Sequence, residues 1–471
     1  MRFAIREISL FERDVHLRMP FRFGVVTLTE SPQAFVRCRI RTEDGREAEG
    51  AAAELLAPKW FDKKLALSNE DNYGQLRLAL ALARDAYLGD PARRSAFGHF
   101  AAHYRSQIAA GGERGLNPLV ANYGPALIDR ALLDALCRVL GVSFYDALRA
   151  NLPGVAPAAL LPEFAGYDMH AFLGALAPAA SIAARHTVGL VDALSAADAG
   201  EALGDGLPQT LEQVVAAYGQ RYFKLKVAGK VAEDLERLIA IAAVLDRIPG
   251  DYFATLDGNE QYQSIDGVAE LWSQMRAEPR LRRLVASILF IEQPINRKYA
   301  LDQDVSALSQ EKPLIIDESD ADLDAFPRAR ALGYTGVSSK TCKGLYKSMI
   351  NAARCARWNA GRQAPRYFLT AEDLTLQAGV AVQQDLALVN LLGITHVERN
   401  GHHYVNGMAG LAEAEQSAFL AAHPDLYERS HGAVRIRIRG GQMAIASLAC
   451  EGYAVAAEPD WGGMRNMVLP N

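Results

Sequence analysis

The sequence predicts an α/β protein built around a (β/α)₈ TIM-type barrel, with a separate α+β domain at its N-terminus. From residue 182 onwards, short apolar runs alternate with longer segments of helical spacing. Several of these runs end directly in charged residues, which is where parallel α/β barrels place their chemistry. Eight such units over roughly 240 residues are what a closed barrel of this kind requires.

The composition is that of an ordinary globular protein. The chain has 471 residues, is 50% hydrophobic and carries a formal net charge of −5, which gives no reason to expect a nucleic-acid partner. The N-terminus is charged too early for a secretion signal, and no apolar run of about 18 residues predicts a membrane span. The five cysteines form no CxxC pair, which is typical of free thiols in a reducing compartment. We therefore expect a cytoplasmic protein that binds neither nucleic acid nor membrane.

The first part of the chain is predicted to be rich in β-structure. Residues 34–41 alternate apolar and basic side chains, as a half-buried strand does, and Asp44-Gly45 indicates a hairpin turn. A second strand is expected to return over residues 47–53. Between the first strands, residues 19–25 are apolar and aromatic, and they are interpreted as a loop that either covers a pocket or packs at a domain interface.

A helical region follows. Residues 65–150 show apolar side chains at helical spacing, with a break near residues 117–123. In the helix after this break, Asp129 and Asp134 are expected on the polar side of the helix, as surface or packing charges.

The barrel strands can be counted from the apolar runs. They are expected near residues 185, 224, 255, 290, 315, 338, 368 and 396. Residues 433–441 alternate again without a following helix, so this tail is expected to leave the barrel and rejoin the first domain.

Two lysines on one strand are the first candidate catalytic groups. In the run Tyr222–Val227, Lys224 and Lys226 are two residues apart and share a face. Two ammonium groups do not fit beneath a helix layer, so both are expected in the barrel lumen. Their mutual repulsion is expected to lower at least one lysine pKa, which would make that lysine a usable general base.

Three carboxylates end the next three strands. Asp257, Glu292 and Asp317 each follow an apolar run, at separations close to one β/α unit. Three carboxylates converging on one barrel mouth would repel one another unless a cation held them, and hard oxygen ligands suit Mg²⁺. Zinc is disfavoured because no histidine or cysteine shares this spacing.

A third lysine ends the sixth strand. Lys340 lies roughly opposite the second strand, so that Lys226 and Lys340 are expected to flank the metal from two sides. A carboxylate bound to Mg²⁺ would present its α-carbon between them, and the metal would stabilise the enediolate formed when the α-proton leaves. Lys343 is expected to begin the following helix instead of joining the site.

Together these motifs resemble the enolase superfamily, in the muconate-lactonizing, lysine-dyad branch of the mandelate racemase and muconate lactonizing enzyme family. The ordered motifs that carry the resemblance are Lys224-x-Lys226, Leu256–Asn259, Ile291–Pro294, Ile316–Ser319 and Ser339-Lys340. It implies an N-terminal α+β capping domain over residues 1–125, a barrel over residues 126–430, and a C-terminal segment, residues 431–471, that returns to the capping domain.

The resemblance also implies roles for individual residues. Asp257, Glu292 and Asp317 would bind Mg²⁺, Lys226 would be the base on one face, and Lys340 the acid or base on the other. Lys224 would assist Lys226. A set of residues would orient the substrate or the metal ligands: Asn259, Glu318 and, less closely matched, Glu372, with Asp373 as its rival.

The implied reaction is removal of a proton α to the carboxylate of a small substrate. Racemisation or epimerisation fits two facing lysines best, and the alternatives are cycloisomerisation and syn-elimination of water. The eighth strand carries Glu398-Arg399-Asn400 where dipeptide epimerases carry an Asp-x-Asp pair, so that specificity is not expected. A hypothesis of another class is a barrel that binds metal or ligand without turnover. We also expect the protein to form a homo-oligomer.

Overall fold

The computed structural model describes residues 1–23 and 26–470. Its N-terminal part begins with a three-stranded antiparallel meander formed by β1 (Phe3–Phe23), β2 (Val26–Thr42) and β3 (Glu47–Leu55). Six helices follow, namely α1 (Asn69–Gly89), α2 (Ala96–Glu113), α3 (Pro118–Ala121), α4 (Tyr123–Leu140), α5 (Phe144–Arg149) and α6 (Met169–Gly174).

Residues 19–25 were predicted to form a loop, and for residues 19–23 this prediction is wrong. These residues complete β1, and Phe21 is the register partner of Leu28 on β2. The register shifts between His16 and Phe21, which accommodates Pro20 within the strand. Gly24 and Val25 lie outside the described residues.

Helix α4 packs against the inner face of this sheet. A Cβ atom at Gly50 of β3 would lie 2.2 Å from the Ala135 nitrogen and 2.3 Å from the Ala131 carbonyl oxygen, so glycine is required for the close approach. Asp129 and Asp134 are buried packing charges and not surface charges: Tyr87 donates to Asp129 over 2.9 Å and the backbone amide of Ala51 donates to Asp134 over 2.8 Å.

The barrel is present as predicted. Among the described residues, eight parallel strands form a closed sheet in which the last strand pairs with the first: β4 (Ser181–Val188), β5 (Tyr222–Lys226), β6 (Phe253–Asp257), β7 (Ile288–Glu292), β8 (Leu314–Ile316), β9 (Gly336–Ser339), β10 (Phe368–Ala371) and β11 (His396–Glu398). The helices between and after them are α7 (Leu211–Tyr218), α8 (Val231–Leu245), α9 (Ile265–Ala277), α10 (Arg282–Ser287), α11 (Arg297–Ala300), α12 (Ser306–Glu311), α13 (Ala325–Ala331), α14 (Leu345–Asn359), α15 (Val380–Leu391) and α16 (Gly401–Tyr404).

The C-terminal segment contacts both parts of the molecule. After α17 (Glu413–Ala422), strands β12 (Tyr427–Ser430) and β13 (Ala433–Ile436) pair with each other. Strand β14 (Gln442–Ala444) then pairs with the first barrel strand, and β15 (Arg465–Asn466) pairs with β1. The domain boundaries expected from the sequence stay a prediction. Among the described residues, no helix is long and apolar enough to cross a membrane.

Candidate active site

A cavity lies at the carboxyl ends of the barrel strands, beneath the N-terminal sheet. It encloses about 460 Å³ including its open mouth. Its polar side includes Lys224, Lys226, Asp257, Asp317, Lys340 and Glu398, and its apolar side consists of Phe21, Leu28, Leu55, Ala57, Trp60 and Leu374. The structure therefore brings the three predicted lysines and two of the three predicted metal ligands to one cavity.

Strand alternation places Lys224 and Lys226 in the lumen, as expected. Lys226 donates to Asp257 over 2.5 Å. Lys224 lies among four carboxylates, with N–O distances of 2.9 Å to Asp257, 2.9 Å to Glu292, 2.7 Å to Glu372 and 3.0 Å to Glu398.

The expected lowering of a lysine pKa is not what this arrangement produces at Lys224. Burial opposes its charge, but the surrounding carboxylates raise its pKa well above the usual value. Burial likewise opposes the charge of Lys340, but Asp317 together with Glu292 and Glu318 raises its pKa above the usual value. Repulsion between Lys224 and Lys226 was the only interaction that the strand's own sequence revealed, whereas the dominant carboxylates come from four other strands.

Asp317 is held by two lysines. Lys340 donates to one of its oxygens, and Lys343 lies 3.2 Å from the other while also donating to Ser338 over 2.9 Å. Lys343 ends a short 3₁₀ turn over residues 341–343, before α14 begins, and its side chain is buried. The expectation that Lys343 starts the following helix is therefore wrong, and Lys343 joins the site.

Gln293 fixes the ends of three strands relative to one another. Its side-chain oxygen accepts from the backbone amides of Asp317 over 2.8 Å and Ser319 over 3.0 Å, and its backbone oxygen accepts from Glu260 over 2.8 Å. The motif Ile291–Pro294 contains Gln293, but the sequence alone predicted no role for this residue. Its position directly after the metal-ligand candidate Glu292 was the available signal.

The loop after β6 also packs closely. A Cβ atom at Gly258 would lie 2.4 Å from the Cα of Pro294, so glycine allows the two strand ends to approach. Asn259 adopts a positive φ of 46° and donates to Glu318 over 2.8 Å. Both of these predicted orienting residues are buried beside the metal-ligand candidates. Burial raises the pKa of Glu318 to about 7.

Residues of the N-terminal part reach this rim. Lys63 contacts Glu260 over 2.5 Å and donates to the Asn259 carbonyl over 2.8 Å. The Lys340 ammonium lies 4.5 Å from the centroid of the Trp60 ring, a cation–π distance. Sequence reasoning missed both Lys63 and Trp60, because nothing in the local sequence shows which barrel strand they meet.

Glu372 and Asp373, at the end of β10, have different surroundings. Glu372 is bound by Lys224 and by the buried Arg185, whereas Asp373 lines the cavity. Asp373 accepts the backbone amides of Leu376 over 2.9 Å and Asn400 over 2.7 Å. The carboxylates of Glu372 and Asp373 therefore both stabilise the carboxyl end of the barrel.

The two histidines of the first and last strands are structural. Burial lowers the pKa of His186 to about 3 and that of His396 to about 3, so both are neutral near pH 7. His396 contacts Arg185 over 2.7 Å below the cavity.

The three carboxylates have the donor chemistry that Mg²⁺ requires. Asp257, Glu292 and Asp317 are buried oxygen ligands, and Asp257 and Glu292 are register partners on adjacent strands. Burial and the neighbouring Asp257 and Glu372 raise the pKa of Glu292 well above its usual value, and the nearby Lys224 ammonium only partly offsets this. In the described chain, however, no three acidic, histidine or cysteine side chains surround one point, and the Lys224 ammonium bridges Asp257 and Glu292. A cation held by all three carboxylates would have to replace that ammonium.

Comparison with known proteins supports the same reading. Residues 207–414 match the family model described as enolase C-terminal domain-like. No curated protein sequence matches the chain.

Three solved structures illustrate the fold similarity. A mandelate racemase/muconate lactonizing protein from Herpetosiphon aurantiacus is 17% identical with a TM-score of 0.58, and the match covers 97% of this chain and 99% of that one. The muconate lactonizing enzyme from Pseudomonas fluorescens, complexed with muconolactone, is 18% identical with a TM-score of 0.58 and 97% coverage of both chains. A dipeptide epimerase from Methylococcus capsulatus, complexed with Mg and a dipeptide, is 18% identical with a TM-score of 0.55, covering 94% of this chain and 100% of that one.

Proposed function

We propose that this chain belongs to the mandelate racemase and muconate lactonizing enzyme family of the enolase superfamily, which the match over residues 207–414 and the fold similarity support. As an isomerase or a lyase of that family, it would remove the proton α to a substrate carboxylate, with Mg²⁺ as cofactor. Both comparisons support the family predicted from the ordered motifs. We propose racemisation or epimerisation as the reaction, with cycloisomerisation and syn-elimination as the alternatives.

The observation that carries the proposal is that Lys226 and Lys340 line one cavity from different strands. Lys226 ends β5 and Lys340 follows β9, four strands further around the barrel. A substrate lying between them would meet an amine on each side of its α-carbon. One lysine can then accept the α-proton while the other returns a proton to the opposite face.

The surroundings of the lysines support different roles for them. Among the described residues, Lys226 contacts a single carboxylate, Asp257, whereas Lys224 contacts four. Lys224 is therefore suited to carry a permanent charge, and Lys226 to hold and release a proton at Nζ. Asp317, fixed by Lys343 and Gln293, positions the Lys340 ammonium.

Asp257, Glu292 and Asp317 would hold Mg²⁺, which would bind the substrate carboxylate and stabilise the negative charge that develops on it. The Mg in the Methylococcus capsulatus complex supports this cofactor assignment. Gln293 and Asn259 would keep the carboxylates in place.

Solvent deuterium exchange tests the proposal. A panel of small carboxylates is incubated in D₂O with the wild type and with the Lys226→Ala and Lys340→Ala variants, and α-deuterium is read by mass spectrometry. We expect exchange by the wild type and a loss of at least about 1,000-fold in each variant, since general base catalysis of this kind contributes about 10²–10⁴-fold. Lys298→Ala, at an exposed lysine of α11, is the matched control.

The products separate the alternatives. Inversion at the α-carbon indicates a racemase or epimerase, ring closure a cycloisomerase, and loss of water a dehydratase. Exchange that persists when both lysines are removed would rule out the lysine dyad. Binding of metal and carboxylates without any exchange would favour the non-catalytic barrel.

A further inference from the structure

We infer that the substrate is a carboxylate with a single negative charge, whose remaining body is uncharged and mainly apolar; this rests on the proposed function. The apolar residues that line the cavity with the lysines are Phe21, Leu28, Leu55, Ala57, Trp60 and Leu374, and the Trp60 ring lies 4.5 Å from the Lys340 ammonium. Each of these residues is at most 8% exposed. A substrate carboxylate anchored near the lysines would extend its remaining atoms into this apolar wall.

The cavity offers no position for a second carboxylate. Among the described residues that line it, the cations are Lys224, Lys226 and Lys340, all at the strand ends and all paired with carboxylates. The described residues contributed by the N-terminal sheet and the loop after it are uncharged. A second carboxylate would therefore be buried against apolar side chains without a partner, which costs several kcal/mol.

A substrate that carries an ammonium group is excluded because the acidic groups on one side of the cavity already have partners. Asp373 and Glu398 are the acidic groups on the β10–β11 side of the cavity. Asp373 is occupied by backbone amides, with Arg399 also 3.5 Å away. Glu398 accepts from Lys224 over 3.0 Å, from the Asp373 amide over 3.0 Å and from Thr187. Neither carboxylate is left to pair with a substrate cation.

Uncharged polar groups also line the cavity, and the buried side-chain oxygens of Asn259 and Asn400 have no hydrogen-bond partner among the described residues. Asn400 lines the cavity, is 3% exposed and donates from its amide nitrogen to Glu398 over 3.0 Å, while its side-chain oxygen has no hydrogen-bond partner among the described residues. A buried acceptor without a partner is costly, and a substrate N–H or O–H group would satisfy it. The geometry thus favours an apolar monocarboxylate that also carries an uncharged donor group.

A matched panel tests this substrate class. Compounds share one α-substituted carboxylate skeleton and differ only at the distal end, which is methyl, phenyl, carboxylate, ammonium or polyhydroxyl. Binding to the Mg²⁺-loaded protein is measured by calorimetry, and α-deuterium exchange in D₂O is measured in parallel. We expect the methyl and phenyl members to bind, and to exchange, at least about 100-fold better than the charged members, since an unpaired buried charge costs several kcal/mol.

Variants that introduce a positive charge into the cavity provide a second test. Leu374→Lys places a cation in the apolar wall, and we expect it to weaken binding of the methyl member by about 10-fold or more and to improve binding of the dicarboxylate. Leu28→Lys repeats the test from the N-terminal sheet. Leu65→Lys is the control, because Leu65 lies on the same domain and is 72% exposed. If neither cavity variant folds, the wild-type panel alone decides.

The two proposals fail in different ways. Binding of apolar monocarboxylates without exchange contradicts the proposed function and leaves the substrate class standing. Preferred binding and exchange of the dicarboxylate or the ammonium compound overturns the substrate class and leaves α-proton removal standing. Absence of binding by every uncharged member also overturns the substrate class.

Discussion

The Lys340 ammonium, on the barrel, lies 4.5 Å from the centroid of the Trp60 ring, which belongs to the N-terminal part of the chain. The Trp60 backbone carbonyl accepts from Arg297 over 2.7 Å, and Arg297 is itself paired with Glu260 over 2.7 Å. These contacts fix the ring over the lysine. The site of the second lysine is therefore completed by a residue from outside the barrel.

Replacing Trp60 should impair proton transfer at Lys340 more than at Lys226. A partly buried cation–π contact contributes about 0.5–2 kcal/mol, so Trp60→Leu should slow transfer at Lys340 by up to about 30-fold. The measurement is α-deuterium exchange on each separate enantiomer of a substrate from the panel, since each enantiomer presents its proton to one lysine. Trp60→Phe should recover most of the activity.

Trp461 supplies the control for this prediction, because its ring lies tilted against Phe11, 5.4 Å between centroids, and does not line the cavity. Trp461→Leu should leave the ratio of the two exchange rates unchanged. An equal slowing of both enantiomers by Trp60→Leu would mean that Trp60 shapes the whole cavity without acting on Lys340.

Metal binding should depend on all three strand-end carboxylates. Asp257→Asn, Glu292→Gln and Asp317→Asn each remove a charged oxygen ligand, and we expect each variant to weaken Mn²⁺ binding by at least about 10-fold, since charged ligands contribute most to holding a hard cation. The free Mn²⁺ signal in electron paramagnetic resonance measures affinity without any substrate. Asp304→Asn, at an exposed aspartate, serves as the comparison. Unchanged affinity in the three cavity variants would show that the metal is bound elsewhere.

Most of the barrel could be predicted because most of its strands are short apolar runs that stop at or just before a charged residue. The strand ends at Lys226, Asp257 and Glu292 carry this signal directly, and the structure ends β5, β6 and β7 at these same residues. The charge state of the lysines could not be predicted in the same way. Lys224 is surrounded by carboxylates from β6, β7, β10 and β11, and the distance between strands far apart in sequence is set by closure of the barrel.

The N-terminal part was harder to predict because its polar and apolar patterns mislead. Pro20 and the surrounding aromatic residues are typical of a loop, yet they end a 21-residue strand whose pairing with β2 compensates for the irregularity. Asp129 and Asp134 are typical of a solvent-facing helix surface, yet Tyr87 and the Ala51 amide satisfy them inside the protein. Partners distant in sequence decide both outcomes.

The stability of the protein should depend on pH through Glu54. Burial raises the pKa of Glu54 from 4.5 to about 7, and Arg130 only partly offsets this. Between these values the folded protein retains a proton that the unfolded chain releases, so stability falls as pH rises through this window. The loss amounts to about 3 kcal/mol at 1.4 kcal/mol per pH unit.

Glu54→Gln should remove this loss, which urea unfolding at pH 5 and pH 7.5 would reveal as a smaller difference between the two midpoints than in the wild type. Glu49→Gln is the matched control, since Glu49 is exposed on the same strand. If Glu54→Gln shows the wild-type difference, Glu54 is ionised in the folded protein across this range.

Two glycine substitutions in the N-terminal domain should have opposite effects on stability. Gly50→Ala would place a methyl group against the backbone of α4 at Ala131 and Ala135, which cannot move without displacing the helix from the sheet, so we expect a loss of about 3 kcal/mol. Gly74 lies within α1 with nothing within 4 Å of a Cβ atom, and Gly74→Ala should stabilise the protein by about 0.5–1 kcal/mol. Thermal unfolding of the two variants measures both changes.

Because β3 leads directly to Leu55 and Trp60, the Gly50→Ala variant should also bind the apolar members of the carboxylate panel more weakly, whereas Gly74→Ala should bind them as the wild type does. Equal stability of the two variants would mean that α4 and the sheet are less closely packed than the Gly50 contact requires.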